Sequence, residues 1–208
     1  MRVQIGAGSR PLEGWVNVEP RRGEGLTYGH ACDLPFEDAS VDALFVNAVF
    51  EHIYRYQVPS ALTEWKRVLK PDGGLLVLGI PDFEQVARLY LDRAPGITHT
   101  TFDMHDVNRY THGWPEASMD VDWSTWDPAE HLDDAPSEYL VQLHKAVYDA
   151  EQVAWLFSQA GFHPQMFRYC YPGELHPLNL GVCCGPQGAF SGDWLAEYVD
   201  LETDQAVA

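Results

Sequence analysis

Short apolar runs alternate with stretches of helical period along the first half of the chain. Val3 to Gly6, Trp15 to Glu19, Asp42 to Asn47 and Leu75 to Ile80 have the length and apolar density of strands buried on both faces of a parallel sheet. Between the last two, Ser60 to Leu69 places Leu62, Trp65, Val68 and Leu69 at helical spacing, and Pro71-Asp72-Gly73-Gly74 predicts a turn that stops the helix. That segment reads as a βαβ crossover. Asp82 to Ala94 predicts a second helix ended by Pro95-Gly96, and Asp149 to Ala160 a late one, with Val153, Leu156 and Phe157 on its apolar stripe and Gly161 at the position just past its end. Gln165 to Tyr171 and Leu180 to Gly185 predict two closing strands. A connection holding Pro172, Gly173 and Pro177 joins them, so they are expected to pair antiparallel at one edge. The fold class expected is α/β, a doubly wound, mostly parallel sheet with an antiparallel edge strand.

Residues 97–137 break this pattern, being rich in His, Asp, Trp and Pro without a clean period. Long irregular segments in a compact domain are usually functional or disordered, and Trp114, Trp123 and Trp126 argue against disorder. The segment is expected to be a substrate-side insert folding over the carboxyl ends of the strands and forming much of an acceptor pocket; the rival is a homodimer interface. Asp103, His105, Asp106, His112 and His131 lie within it but lack H-E-x-x-H or similar ligand spacing, so no metal is expected. Residues 192–208 form an acidic tail, a short helix or a frayed end. No internal repeat is apparent, and 208 residues fit one domain, 1–208.

Composition narrows the class of partner. A formal charge of -18 repels phosphate backbones and anionic membranes, so neither nucleic acid nor a membrane is an expected partner. Hydrophobic residues at 46% and charged ones at 21% are ordinary globular values. Cys32, Cys170, Cys183 and Cys184 contain no C-x-x-C pair and read as buried free thiols. The chain opens directly into the first apolar run, and no long apolar segment follows. The expected location is therefore cytoplasmic.

The candidate chemistry begins at Gly6-Ala7-Gly8, where the chain leaving the first strand can turn tightly and a ligand can approach the backbone. The next acidic residue at a strand end is Glu19, placed to accept hydrogen bonds from a ribose diol. Too few residues separate Gly8 from Glu19 for a crossover helix followed by a strand, so the loop lacks the helix N-terminus with which a dinucleotide site holds a pyrophosphate. S-adenosylmethionine has a sulfonium and no phosphate, and can dispense with it.

Residues 3–19 resemble the opening of the small class I S-adenosylmethionine-dependent methyltransferases (the methyltransferase type 11-like group), whose first motif leads through a short loop into G-W-x-N-x-D. Cys32-Asp33-Leu34-Pro35-Phe36-Glu37-Asp38 resembles their D-L-P-F-x-D segment, Asn47 to Ile53 their S-x-x-x-E-H strand end, Arg67 to Gly74 their R-V-L-K-P-G-G, and Asp149 to Phe162 their late helix ending in A-G-F. The resemblance implies a Rossmann-like fold and S-adenosyl-L-methionine as cofactor. It implies Gly6, Ala7 and Gly8 against the amino-acid portion of that cofactor, Glu19 on the ribose, Asp33 and Leu34 beside the adenine, and Asn47 and Ala48 bordering the sulfonium. Glu19 stands where Asp is commoner, and Gln4 where many relatives carry an acid.

His52 follows the strand ending at Asn47, on the side where open α/β sheets bind ligands, and is the first candidate for a catalytic base or substrate orienter. The alternative is that Glu51-His52 pins local structure. His144, in Leu143-His144-Lys145, is the second candidate. The function expected is methyl transfer to an O or N atom of a small-molecule acceptor, with a sugar or a secondary metabolite in view. The rival from another class is a catalytically degenerate S-adenosylmethionine-binding regulatory or partner subunit.

Overall fold

The computed structural model describes residues 1–20, 23–113, 143–186, 190, 193–199 and 205–206. Its centre is an eight-stranded sheet in the order β3-β2-β1-β4-β5-β7-β6-β8. The strands are β1 (Arg2–Ile5), β2 (Val16–Glu19), β3 (Thr27–Tyr28), β4 (Val41–Asn47), β5 (Leu69–Pro81), β6 (Gln165–Tyr169), β7 (Asn179–Cys184) and β8 (Gln205–Ala206). The pairings from β3 across to β5 are parallel. β7 then runs antiparallel between β5 and β6, and β8 lies antiparallel on the outer side of β6. The two closing strands pair antiparallel as the sequence suggests, with the second inserted inside the first.

The helices are α1 (Val58–Val68), α2 (Phe83–Leu91), α3 (Met104–His112) and α4 (Ala150–Gln159). α1 carries Pro59 in its first turn, where a missing N–H costs nothing, and buries Val58, Ala61, Leu62, Trp65 and Val68 along one stripe. α4 starts at Asp149, whose carboxylate accepts from the Gln152 N–H, and ends at Gly161 with φ +79. These two helices cover one face of the sheet, where Trp65 and Phe157 pack on Val3, Leu44 and Val46. Side chains alternate along a strand, so Ala43 and Phe45 face the other way. They meet Trp15, Tyr169 and Tyr198.

Part of the acidic tail therefore packs on the sheet: a 3-10 turn, Asp193–Glu197, brings Trp194 and Tyr198 edge-on to Phe45. A third cluster joins α2, α3 and the start of β7 through Val86, Phe102, Tyr110 and Leu178. One local expectation changes. The turn at Pro71-Asp72-Gly73-Gly74 does not separate α1 from the next strand; Leu69 pairs with Val41 and Gly74 with Ala43, so the intervening residues form a bulge inside β5.

Candidate active site

β1 and β2 pair in register, Ile5 beside Val18, so the loop leaving one strand meets the carboxylate that closes the other. Gly6 has φ +74, and a Cβ there would stand 2.1 Å from Val49 Cγ2. Only glycine lets the chain after β1 pass so close to the chain after β4. The Gly8 N–H donates to Glu19 Oε1 at 2.5 Å, and Glu19 is 6% exposed. The carboxylate is thus oriented by the glycine loop, with lone pairs remaining for further donors. Ala7, between the two glycines, is buried.

Two buried amides hold the rest of this loop. Gln4 donates to Arg10 O and accepts from Leu12 N, while Asn17 accepts from Leu12 N and donates to the carbonyls of Leu12 and Trp15. Gln4 and Asn17 are therefore loop clamps, a role that their positions in the strands did not reveal.

The glycine loop and Glu19 form one wall of a cavity of about 530 Å³. Ile5, Gly29, His30, Ala31 and Ile53 provide much of the rest, and Ala48, Val49 and His52 border it at the end of β4. The segment after β3 thus meets the cavity through residues 29–31. Asp33 is exposed and Leu34 is buried in the core, and neither lines the cavity. Their segment instead joins a brace. Leu34 N donates to Glu64 Oε1, and Arg67 donates to Glu64, Asp38 and the carbonyls of Leu34 and Phe36. The Arg67 guanidinium beside Glu64 holds that carboxyl below its ordinary range. Trp65 Nε1 donates to Ala31 O, which ties α1 to the cavity wall.

At the end of β4, Asn47 accepts from Tyr171 OH at 2.8 Å, so its amide is held to that ring and the wall passes to Ala48. Ala48 has φ +49, a conformation unusual for a residue with a side chain. Opposite lies Gly79, with φ +85, where a Cβ would meet Ala48 N and Tyr171 OH, each at 2.7 Å.

The other end of the cavity is lined by His52, Tyr54, Gln57 and Lys145. Residues 143–145 are strapped across it: Lys145 N donates to Glu51 O and His144 N to His112 O. The His144 ring meets the His52 ring edge-on at 5.1 Å and does not itself line the cavity. Burial, with His52 adding to it, lowers the His144 pKa to about 4. Glu51 is 3% exposed, and burial pushes its carboxyl up to about 8. Lys145 was not singled out from the sequence, and Glu51 was read there only as half of a pair that pins local structure, although each adjoins a candidate histidine. Of the insert, residues 97–113 are described: Asp103 caps α3 and pairs with His99, and the buried Asp106 accepts from Ile97 N. His105 is exposed on α3, and His112 ends that helix beside His144. Trp114, Trp123, Trp126 and His131 lie outside the described residues.

The structure superposes on an S-adenosylmethionine-dependent methyltransferase from Thermotoga maritima with a TM-score of 0.52 and 19% identity, covering 88% of this chain and 80% of that one. Residues 16–77 match the family model described as a methyltransferase domain. The fold is that of the class I methyltransferases. Within this methyltransferase fold, the family match lies in the first half of the chain. The malonyl-[acyl-carrier protein] O-methyltransferase 1 of Coxiella burnetii is 37% identical over 84 residues, 39% of this chain and 29% of that protein. The demethylmenaquinone methyltransferase of Staphylococcus haemolyticus is 40% identical over 70 residues, 31% of this chain and 28% of that protein. The matches span less than a third of either curated relative. Among the described residues no helix is long and apolar enough to cross a membrane.

Proposed function

We propose that this chain transfers a methyl group from S-adenosylmethionine to an oxygen or nitrogen of a small-molecule acceptor. The observation that carries this reading is the junction of the glycine loop with Glu19 in the wall of a cavity of about 530 Å³, a volume ordinary for small-ligand sites. The residues present fit the nucleoside. The Glu19 carboxylate accepts from the ribose hydroxyls, the apolar side chains of Ile5, Ala31 and Ile53 enclose the base, and the opened backbone at Gly6 and Gly8 faces the amino-acid portion. Bound S-adenosylmethionine supplies a methyl group already activated by a positive sulfur, so alignment counts for more than strong acid or base assistance. Ala48 and Val49 then separate the cofactor end from the acceptor end, where His52, Tyr54 and Lys145 surround the incoming nucleophile. His52 orients it.

Calorimetry with S-adenosylhomocysteine tests the first half of this reading. Glu19→Ala is expected to weaken binding about ten- to hundredfold, the loss of about 1.5–3 kcal/mol in hydrogen bonds to a charged group; unchanged affinity in a folded variant removes Glu19 from the site. His52→Ala is expected to slow methyl transfer, read as S-adenosylhomocysteine formation in assays with candidate acceptors, while leaving S-adenosylhomocysteine affinity nearly unchanged. Cofactor binding with no turnover on any acceptor tried would instead assign the chain to a binding subunit.

A further inference from the structure

Glu51, His52 and His144 each place one donor atom within 4.8 Å of the other two. They come from two segments held together by the main chain, since Lys145 N donates to Glu51 O at 2.7 Å and His144 N to His112 O at 3.0 Å. The grouping is therefore built by the fold.

Both imidazoles are oriented in the same way. His52 Nδ1 lies 3.2 Å from Leu143 O, and His144 Nδ1 lies 2.9 Å from Tyr110 O. A carbonyl can only accept, so each Nδ1 carries a proton, and in the neutral ring the lone pair is on Nε2. Donation of one ring N–H to a backbone carbonyl is also how proteins set the tautomer of a histidine whose other nitrogen binds a metal. The third group is a carboxylate with 3% exposure whose Oε2 has no hydrogen-bond partner, while Oε1 faces His52 Nε2 at 3.6 Å. No Lys or Arg among the described residues forms an ion pair with it. A buried carboxylate left in this state is costly unless a proton or a cation compensates it.

Two imidazole nitrogens and one carboxylate oxygen form the donor set of a borderline divalent ion. We propose that Glu51, His52 and His144 bind one divalent transition-metal ion of the zinc type, with its open coordination positions toward the cavity. Three protein ligands leave such positions, as in catalytic rather than structural sites. His52 lines the cavity, so the open side faces the acceptor end. An acceptor bearing a hydroxyl or carboxylate oxygen is the ligand that this geometry suits, and Lys145 in the same wall favours an anionic one. The choice of acceptor rests on the methyl-transfer reading; the metal site does not.

The test is titration of the chelator-stripped full chain with Zn²⁺ and Co²⁺, followed by calorimetry and by the visible absorption of Co²⁺. One equivalent is expected to bind. Glu51→Gln and His144→Ala are each expected to weaken binding by at least about tenfold, the loss already typical of removing an outer-shell partner, with circular dichroism confirming the fold. Glu19→Ala is expected to bind metal as the parent does. In the unsubstituted chain, ring resonances of His52 and His144 are expected to move on addition of Zn²⁺, a readout that needs no variant. Absence of saturable binding, or binding unchanged in the Glu51→Gln/His144→Ala double variant, overturns the site and leaves a proton as the occupant of Glu51. Metal binding by a chain that fails to bind S-adenosylhomocysteine upholds the site and removes the methyl-transfer reading instead.

Discussion

Gly79 shows how a single residue shapes the cavity without lining it, by placing Ala48, which does. Ala48 holds φ +49 at the cavity edge because Gly79, with no side chain, lets the end of β4 settle against β5. Gly79→Ala is expected to destabilise the protein by about 1–3 kcal/mol, since the new Cβ meets backbone as well as the Tyr171 hydroxyl and φ +85 disfavours any side chain. Displacing Ala48 should also weaken S-adenosylhomocysteine binding. Thermal melts and calorimetry measure the two effects; a variant with the parent's melting temperature would show that the strands can part cheaply. That Gly6, Gly8 and Glu19 lie together was legible because their arrangement is local: one loop and the two strands that it joins. Gly79 was not, because its partners Ala48 and Tyr171 are distant in sequence. Asp33 and Leu34 are a different case. A recurring motif suggested ligand contact, whereas the segment's hydrogen bonds run to Glu64 and Arg67.

That brace gives α1 its part in the site. Glu64 and Arg67 lie one turn apart on the helix and together hold the chain from Leu34 to Asp38, just beyond the cavity residues His30 and Ala31. Glu64→Gln is expected to cost about 1–2 kcal/mol at neutral pH, after allowance for the partial exposure of the pair. The sign of the pH dependence follows from the direction of the shift. The Glu64 carboxyl is depressed below its ordinary value of 4.5 in the folded chain, so its contribution is complete above that value and is lost as pH falls through the lower folded one. The gap in melting temperature between parent and variant should therefore close in acid; a gap independent of pH would locate the effect elsewhere. At this scale α3 was missed, lying in the segment read as having no clean period, whereas the other helices and most strands were legible from their periods because each buries a continuous stripe. The two-residue β3 was not, being too short to carry a period, and the β5 bulge looked like a turn because its Pro and Gly content is the same.

Across the whole molecule, α1 and α4 cover one sheet face, while the other depends in part on the C-terminal residues around Trp194 and Tyr198. Tyr198, 2% exposed on Phe45, is expected to cost about 3 kcal/mol when changed to Ala. Urea denaturation measures this, and a loss below about 1 kcal/mol, the scale of a surface substitution, would show that the tail is dispensable. From the sequence, this tail read as an acidic end, since its few aromatic residues show no stripe until the sheet supplies their partners. The strap at residues 143–145 has a different bearing. The family match ends at residue 77, having taken in Glu19, Ala48 and His52, whereas His144 and Lys145 enter the same region from far downstream. The matched stretch does not coincide with one side of the cavity: it leaves out Gly6 and Gly8 and takes in His52, Tyr54 and Gln57, which share the far end with Lys145. On the methyl-transfer reading, the donor side is carried by residues between Ile5 and Ile53. The strap at residues 143–145 joins it partly through backbone atoms, which any sequence can provide, so on that reading the strap can be rewritten for a new acceptor while the donor side stays as it is.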